Sequence, residues 1–246
     1  GHTQGQDSWR AIIGDFTCDC RADYADFSTS HMRLWVHENK SPASNTFTPK
    51  GDSWGYGDVY APFDRMDILS ADFNNDGCSD IITKNYVSWK LQVFLNTFRT
   101  KQNRNGIFDA PINLSFVAKT GDNWRLLVGD FNGDGQADVA DQEVNSGNFW
   151  IHLNSGAPTY QMAATAAWIV PGTIDRNNFQ NWKVIVGDFN GDGLSDYADL
   201  ITGGPTLAGH FWIHKNLGNG NFTPGAQNDG EAQCYRPDSN WKLLGE

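Results

Sequence analysis

The sequence predicts an all-β chain, a β-propeller of four-stranded antiparallel blades. Three observations lead there. An acidic loop recurs with first positions at Asp15, Asp72, Asp130 and Asp188, so successive steps are 57, 58 and 58 residues. Each loop is flanked by short apolar runs of strand length. No apolar pattern of 3.6-residue period persists for three turns, so no helix is expected. A repeat of this length made of about four strands is the size of a propeller blade, longer than the usual solenoid repeat. The expected layout is one domain over 1–246, with repeats near 7–63, 64–121, 122–179 and 180–237 and a partial repeat over 238–246.

The elements follow in the same order in each repeat. A first strand leads into the loop: Trp9 to Gly14, Trp124 to Gly129 and Trp182 to Gly187, with Asp64 to Ser70 in the second copy. Its consecutive apolar residues predict a strand buried on both faces. After the loop comes a second strand, at Asp23 to Asp26, Asp80 to Thr83, Asp138 to Asp141 and Asp196 to Asp199. A third runs from Leu34, Leu91, Phe149 and Phe211 to Asn39, Asn96, Asn154 and Asn216, where the Asn opens a turn. A fourth, fainter strand is expected at Thr46 to Pro49, Ile107 to Pro111, Thr159 to Met162 and Asn221 to Pro224. Asp238 to Glu246 reads as the first strand of a fifth repeat, so ring closure and blade number stay open.

The loop itself carries the chemistry. Asp130-Phe-Asn-Gly-Asp-Gly-Gln-Ala-Asp138 places oxygen side chains at its first, third, fifth and ninth positions, with glycines at the fourth and sixth. A tight turn points alternate oxygens inward, and glycine permits the left-handed backbone this needs. All-oxygen donors rich in carboxylates suit a hard cation, Ca²⁺ before zinc or copper. The bland alternative, an ordinary Asp/Asn/Gly turn, is disfavoured by three close copies. No bidentate Glu stands at a twelfth position, so these are not EF-hands.

This loop, with Gly-turn-Phe-x-Pro segments such as Gly220 to Pro224, resembles the FG-GAP or VCBS repeat family, whose calcium loops also occur in the integrin α-subunit propeller. Fungal lectins with propellers of related repeats are one such group. The resemblance covers essentially the whole chain. It implies calcium in the hairpin between the first two strands of each blade, an extracellular setting, and roles in adhesion, glycan binding or as accessory to a secreted enzyme. Carried over by position, the implied ligands are Asp130, Asn132, Asp134, Asp138 and the Gln136 carbonyl; Asp188, Asn190, Asp192, Asp196 and the Leu194 carbonyl; and Asp72, Asn74, Asp76, Asp80 and the Cys78 carbonyl. The first loop offers Asp15, Thr17, Asp19, Asp23 and the Arg21 carbonyl, but Thr17 replaces Asn and Cys18 and Cys20 replace the glycines. Three to four ions are therefore expected, in a structural role: each ion offsets the repulsion of crowded carboxylates.

Trp35, Trp150 and Trp212 each precede a histidine by two positions, His37, His152 and His214. Residues two apart in a strand share a face. A Trp platform beside a His/Asp pair, with Asp26, Asp141 or Asp199, suits a sugar's apolar face and its hydroxyls. Packing between blades explains the same residues, and is the favoured explanation. The aromatic, Gly-rich segment Gly51 to Tyr60, with Trp54 and Tyr56, is a second candidate for ligand contact.

The net charge of -11 argues against a nucleic-acid partner. No apolar run reaches the ~20 residues of a membrane-spanning helix. The chain opens without a charged segment followed by an apolar stretch, so a signal peptide is either absent or removed. Two glycosylation sequons, at Asn113 and Asn221, are weak signals. Cys18, Cys20, Cys78 and Cys234 allow three full pairings, and free thiols are as open a reading as disulfides. No motif of nucleophilic, metal-hydrolytic or phosphate chemistry is present. A lyase or hydrolase using His31, His210, Tyr56, Tyr60 and Arg65 remains the alternative to a non-catalytic secreted module that binds glycan or an extracellular protein.

Overall fold

The computed structural model describes residues 9–28, 33–42, 46–48, 53–54, 66–86, 88–101, 107–114, 119–121, 123–163, 168–170, 182–201 and 211–223. They group into two compact units, one within 1–117 and one within 118–241. The first unit holds two sheets. One contains β1 (Trp9–Gly14), β2 (Asp23–Ser28), β3 (Arg33–His37) and β4 (Ser53–Trp54). The other contains β5 (Met66–Ala71), β6 (Asp80–Asn85), β7 (Leu91–Phe94) and β8 (Ile112–Asn113), with a one-turn helix, α1 (Phe98–Lys101), between its last two strands. In the second unit β9 (Trp124–Gly129), β10 (Asp138–Glu143), β11 (Phe149–His152) and β12 (Trp168–Val170) form one sheet, and β13 (Trp182–Gly187), β14 (Asp196–Ile201) and β15 (Phe211–His214) the other. Strands neighbour one another in chain order within every sheet, and all pairs are antiparallel.

The register places the acidic loops where the sequence expects them. Gly14 pairs with Asp23, Ala71 with Asp80, Gly129 with Asp138 and Gly187 with Asp196. Each loop is thus the hairpin turn between the first two strands, opened by its first Asp and closed by its ninth. The fourth and sixth positions take positive φ in all four loops: Cys18 (59°) and Cys20 (65°), Asn75 (58°) and Gly77 (79°), Gly133 (78°) and Gly135 (84°), Gly191 (79°) and Gly193 (87°). One backbone path is therefore kept even where cysteine replaces glycine.

Alternation along the strands gives each sheet two faces. In the first unit Ile12, Ala25, Phe27, Leu34 and Val36 pack with Met66, Ile68, Ile81 and Phe94 of the second sheet. In the second unit Leu127, Ala140, Phe149 and Ile151 pack with Val184, Val186 and Tyr197. Each fully buried side chain of this size contributes about 1.5–3 kcal/mol relative to exposure.

Three expectations change. The strand buried on both faces is the second one, β6 and β10 with one half-buried residue each, whereas Trp9 and Ile13 of β1 are exposed. The first strand is an edge strand of its sheet, and in β1 one face is left open. The segments expected as fourth strands make single bridges, Asn39 with Phe47, Asn96 with Phe108, Asn154 with Met162 and Asn216 with Phe222. The fourth strands β4, β8 and β12 come later, because the turn after each Asn spends the first partner residues on closing itself. The helix α1 is four residues long, too short to leave a periodic signal. The expected partial repeat over 238–246 lies outside the described residues. Among the described residues no helix is long and apolar enough to cross a membrane.

Candidate metal loops and the Trp-His strands

The four loops share one hydrogen-bond plan. The first aspartate caps the turn: Asp188 Oδ1 accepts from Gly191 N at 2.6 Å and Asp192 N at 3.2 Å, and its Oδ2 from Gly193 N at 2.9 Å. Asp130 takes Gly133, Asp134 and Gly135 in the same way. These amides hold the exposed Asp188 carboxyl below its ordinary value, Gly193 foremost. In the fourth loop the third residue turns across the ring, with Asn190 Nδ2 donating to Asp192 Oδ2 at 2.8 Å. Asn74–Asp76 and Asn132–Asp134 repeat that bond.

The ninth aspartate does something sequence reasoning did not assign. Asp23, Asp80, Asp138 and Asp196 are all fully buried. Each accepts through Oδ2 from the backbone N–H of the loop's phenylalanine, Phe16, Phe73, Phe131 or Phe189. Each accepts through Oδ1 from the N–H of the asparagine that ends the third segment, Asn39, Asn96, Asn154 or Asn216. It is a staple joining the start of the loop to the third strand's exit. The recurrent Asn was the available signal. Burial pushes the carboxyl of Asp80 up to about 8 and that of Asp138 up to about 7. The two N–H donors pull each back, and the charges of Asp76 and Asp72, or of Asp134 and Asp130, push further. Asp196 is raised by burial in the same sense.

The asparagine also ties loop to loop inside each unit. Asn96 Nδ2 donates to Phe16 O at 3.0 Å and Asn216 Nδ2 to Phe131 O at 2.8 Å. Ser79 N donates to Asp15 O at 2.8 Å and Ser195 N to Asp130 O at 2.7 Å. Cys18 and Cys78 form a disulfide across the same seam, which resolves the pairing; Cys20 is free and exposed, and Cys234 lies outside the described residues.

The donor set fits a hard cation. In the fourth loop Asp188 Oδ2, Asn190 Oδ1, both oxygens of Asp192 and both of Asp196 each take one hydrogen bond, and each such oxygen has a second lone pair. Besides burial, the charges of Asp192 and Asp188 raise the Asp196 carboxyl, so negative charge is concentrated in the turn. The side chains nevertheless serve their own turns first. Among the described residues, no group of three or more His, Cys, Asp and Glu side chains is gathered as a metal site.

The Trp-His strands divide into two kinds. His152 and His214 are buried, His214 wholly so with its partner Asp199, Nε2 to Oδ2 at 3.2 Å. Their Nδ1 atoms donate to Ala163 O and Thr223 O. His214 stacks on Tyr197 with centroids 4.3 Å apart. Burial lowers the His152 imidazole. Packing accounts for both histidines; Trp150 and Trp212 beside them are half-buried. The first sheet differs. There His37 Nδ1 donates to Thr48 O at 2.8 Å and Nε2 lies 3.2 Å from Asp26 Oδ2, with both side chains partly exposed. Tyr24 donates to the other Asp26 oxygen, and burial together with that carboxylate pushes its phenol up to about 12. Trp35 meets Trp9 at 5.1 Å, and Trp9 is 51% exposed. Trp54 falls in β4. Tyr56, His31, His210, Tyr60 and Arg65 lie outside the described residues.

No protein-family model and no curated protein matches this sequence. Among solved structures the chain is similar to an Agrocybe aegerita lectin whose specific recognition of non-reducing terminal N-acetylglucosamine has been described. The two share 17% identity with a TM-score of 0.47, over 89% of this chain and 65% of that one. The chain thus spans about two thirds of that protein's length.

Proposed function

We propose that the chain is a non-catalytic carbohydrate-binding module, a secreted β-propeller of FG-GAP or VCBS type whose blades are these sheets and whose hairpins are closed by calcium. The observation that carries the binding reading is the half-exposed set on the first sheet. An aromatic pair, Trp9 and Trp35, stands on the same strand face as the Tyr24–Asp26–His37 network. An indole surface offers an apolar platform for a sugar's C–H face, and fixed donors and acceptors beside it match hydroxyls. The same constellation in the third and fourth repeats is buried at its histidines, so recognition is assigned to the first repeat.

Calcium would be held by Asp72, Asn74, Asp76 and Asp80, by Asp130, Asn132, Asp134 and Asp138, and by Asp188, Asn190, Asp192 and Asp196. Bound there, it supplies positive charge against three crowded carboxylates and cross-links the turn. The protein's residues position the ligand surface by holding the two sheets of each unit together through the stapled loops.

A glycan array with and without calcium tests the reading, together with indole fluorescence of the wild type and Trp9→Ala. Sugar binding that Trp9→Ala weakens at least ten-fold supports it. Binding untouched by Trp9→Ala and Trp35→Ala would place recognition elsewhere, and release of unsaturated sugar products would make the protein a lyase.

A further inference from the structure

We infer that the first acidic loop is closed without an ion, by the Arg21 guanidinium and the Cys18–Cys78 bridge, so that the chain takes three divalent cations and not four. The inference rests on the calcium reading of the other three loops and specifies where that reading stops.

The seventh position separates the loops. It is Cys78, Gln136 and Leu194 in the second, third and fourth, where no side-chain charge is offered, and Arg21 in the first. Arg21 engages both oxygens of the fifth-position aspartate: its backbone N donates to Asp19 Oδ1 at 3.0 Å, and its guanidinium Nη2 pairs with Asp19 Oδ2. In the second and fourth loops that second oxygen takes a neutral amide, from Asn74 or Asn190. Arg21 is anchored on its far side as well, Nε donating to Asn39 O at 3.3 Å. A tethered guanidinium therefore occupies the fifth carboxylate and supplies positive charge within the turn.

The third and ninth positions agree. Thr17 Oγ1 donates to Asp23 Oδ2 at 3.0 Å. That oxygen already takes Phe16 N at 3.0 Å and Thr17 N at 2.9 Å, and Oδ1 takes Asn39 N at 2.9 Å. Three donors on one oxygen exceed its two lone pairs, so it has none left for a metal. The fourth position also carries a covalent tie to the second loop, through Cys78, that the described loops of the second unit lack. In the second unit the fourth residue of one loop adjoins the seventh of the next, since a Cβ on Gly133 would lie 2.9 Å from Leu194 Cδ2. The first unit turns this same neighbour pair into the disulfide Cys18–Cys78. With glycine absent at both αL positions, the bridge and the ion pair hold a turn shape that an ion would otherwise enforce.

Two measurements on the whole chain decide it. Equilibrium dialysis with ⁴⁵Ca²⁺ should find three ions per wild-type chain. Four ions would overturn the inference while leaving the calcium reading intact; none would overturn the calcium reading. The second measurement is the thermal melt of Arg21→Gln in EGTA. Loss of the internal counter-charge should lower the midpoint by about 2–4 °C relative to wild type. An unchanged midpoint in EGTA would show that the guanidinium does not take the ion's place, whatever the dialysis count.

Discussion

Gly14→Ala tests how closely the loops of one unit are packed. The Cβ of an alanine at Gly14 would lie 2.7 Å from Ser79 Oγ, 2.8 Å from Ser79 Cβ and 3.2 Å from Phe16 Cζ. Ser79 cannot turn aside at no cost, because its Oγ accepts from Asp15 N at 2.8 Å while its N donates to Asp15 O at 2.8 Å. Overpacking of this kind costs about 1–3 kcal/mol. Gly187 is the matched control. It sits at the same loop position, yet among the described residues a Cβ there meets only Phe189, at 3.7 and 3.8 Å, ordinary contact. Alanine at Gly187 should be neutral or gain up to ~1 kcal/mol from strand preference. The second repeat already carries Ala71 there. Urea unfolding followed by tryptophan fluorescence reads both variants. Gly14→Ala should lower the midpoint by about 0.5–1.5 M, and Ser79→Gly in that background should recover part of the loss. Equal midpoints for the two glycine variants, or a larger loss at Gly187, would refute the packing argument.

Three further outcomes are expected. Chelation with EGTA should lower the melting temperature of the wild type by several degrees, and a melt identical with and without EGTA would remove calcium from the account. Cys78→Ser opens a bridge spanning a sequence separation of 60 and should cost about 4 kcal/mol by loop-closure entropy, whereas Cys20→Ser, at a free exposed thiol, should change stability little; reducing and non-reducing melts of both variants check this. Burial lowers the folded-state value of His152, against the pull of Asp141 and the Ala163 carbonyl and with the help of Lys119. The unfolded chain then binds the extra proton first, so this stability is present above about pH 6.5 and is lost as pH falls through that value toward the folded one. His152→Gln should flatten the dependence of the urea midpoint on pH between 7 and 5, and an unchanged slope would refute the assignment.

Much of this fold is legible in the sequence, for a physical reason. Three sheets begin with a Trp-led apolar run that ends in Gly-Asp, and all four carry an Asp nine residues into the loop, so hairpin and register are set by local chemistry. The fourth strands were misplaced because Phe47, Phe108, Met162 and Phe222 look like strand centres but make single bridges. The residues that pair later, such as Ser53 and Trp54 with Trp35 and Leu34, have no periodic mark in a two-residue strand. At the loops, residue types pointed to ligands and could not show which carboxylates the backbone already engages. Asp23 and Asp138 look alike in sequence, and only the three donors converging on Asp23 Oδ2 set them apart. The Trp-x-His pattern was also ambiguous by itself: His37 and His214 stand in equivalent strands, and only the covering sheet differs.

Staple and ligand can be separated within one loop. Asp196 is fully buried and accepts from Phe189 N at 3.1 Å and Asn216 N at 2.7 Å, while Asp192 is exposed and accepts from Leu194 N and the Asn190 amide. In Asp196→Asn one of the two buried N–H groups must face an amide NH₂ in place of an oxygen. An unsatisfied buried donor costs about 1–3 kcal/mol, part of it offset because burial already opposes the Asp196 charge. That loss should appear both with and without calcium. Asp192→Asn removes a charge from a solvated turn and leaves the staple intact. Its effect should appear only with calcium, as a weaker fourth-loop site and a smaller calcium-induced rise in melting temperature. If Asp196→Asn were harmless in EGTA, the ninth aspartate would be a ligand and nothing more. If Asp192→Asn were as damaging in EGTA as in calcium, the fifth aspartate would belong to the fold. The four melts together assign each carboxylate to architecture or to the ion without requiring knowledge of the sugar.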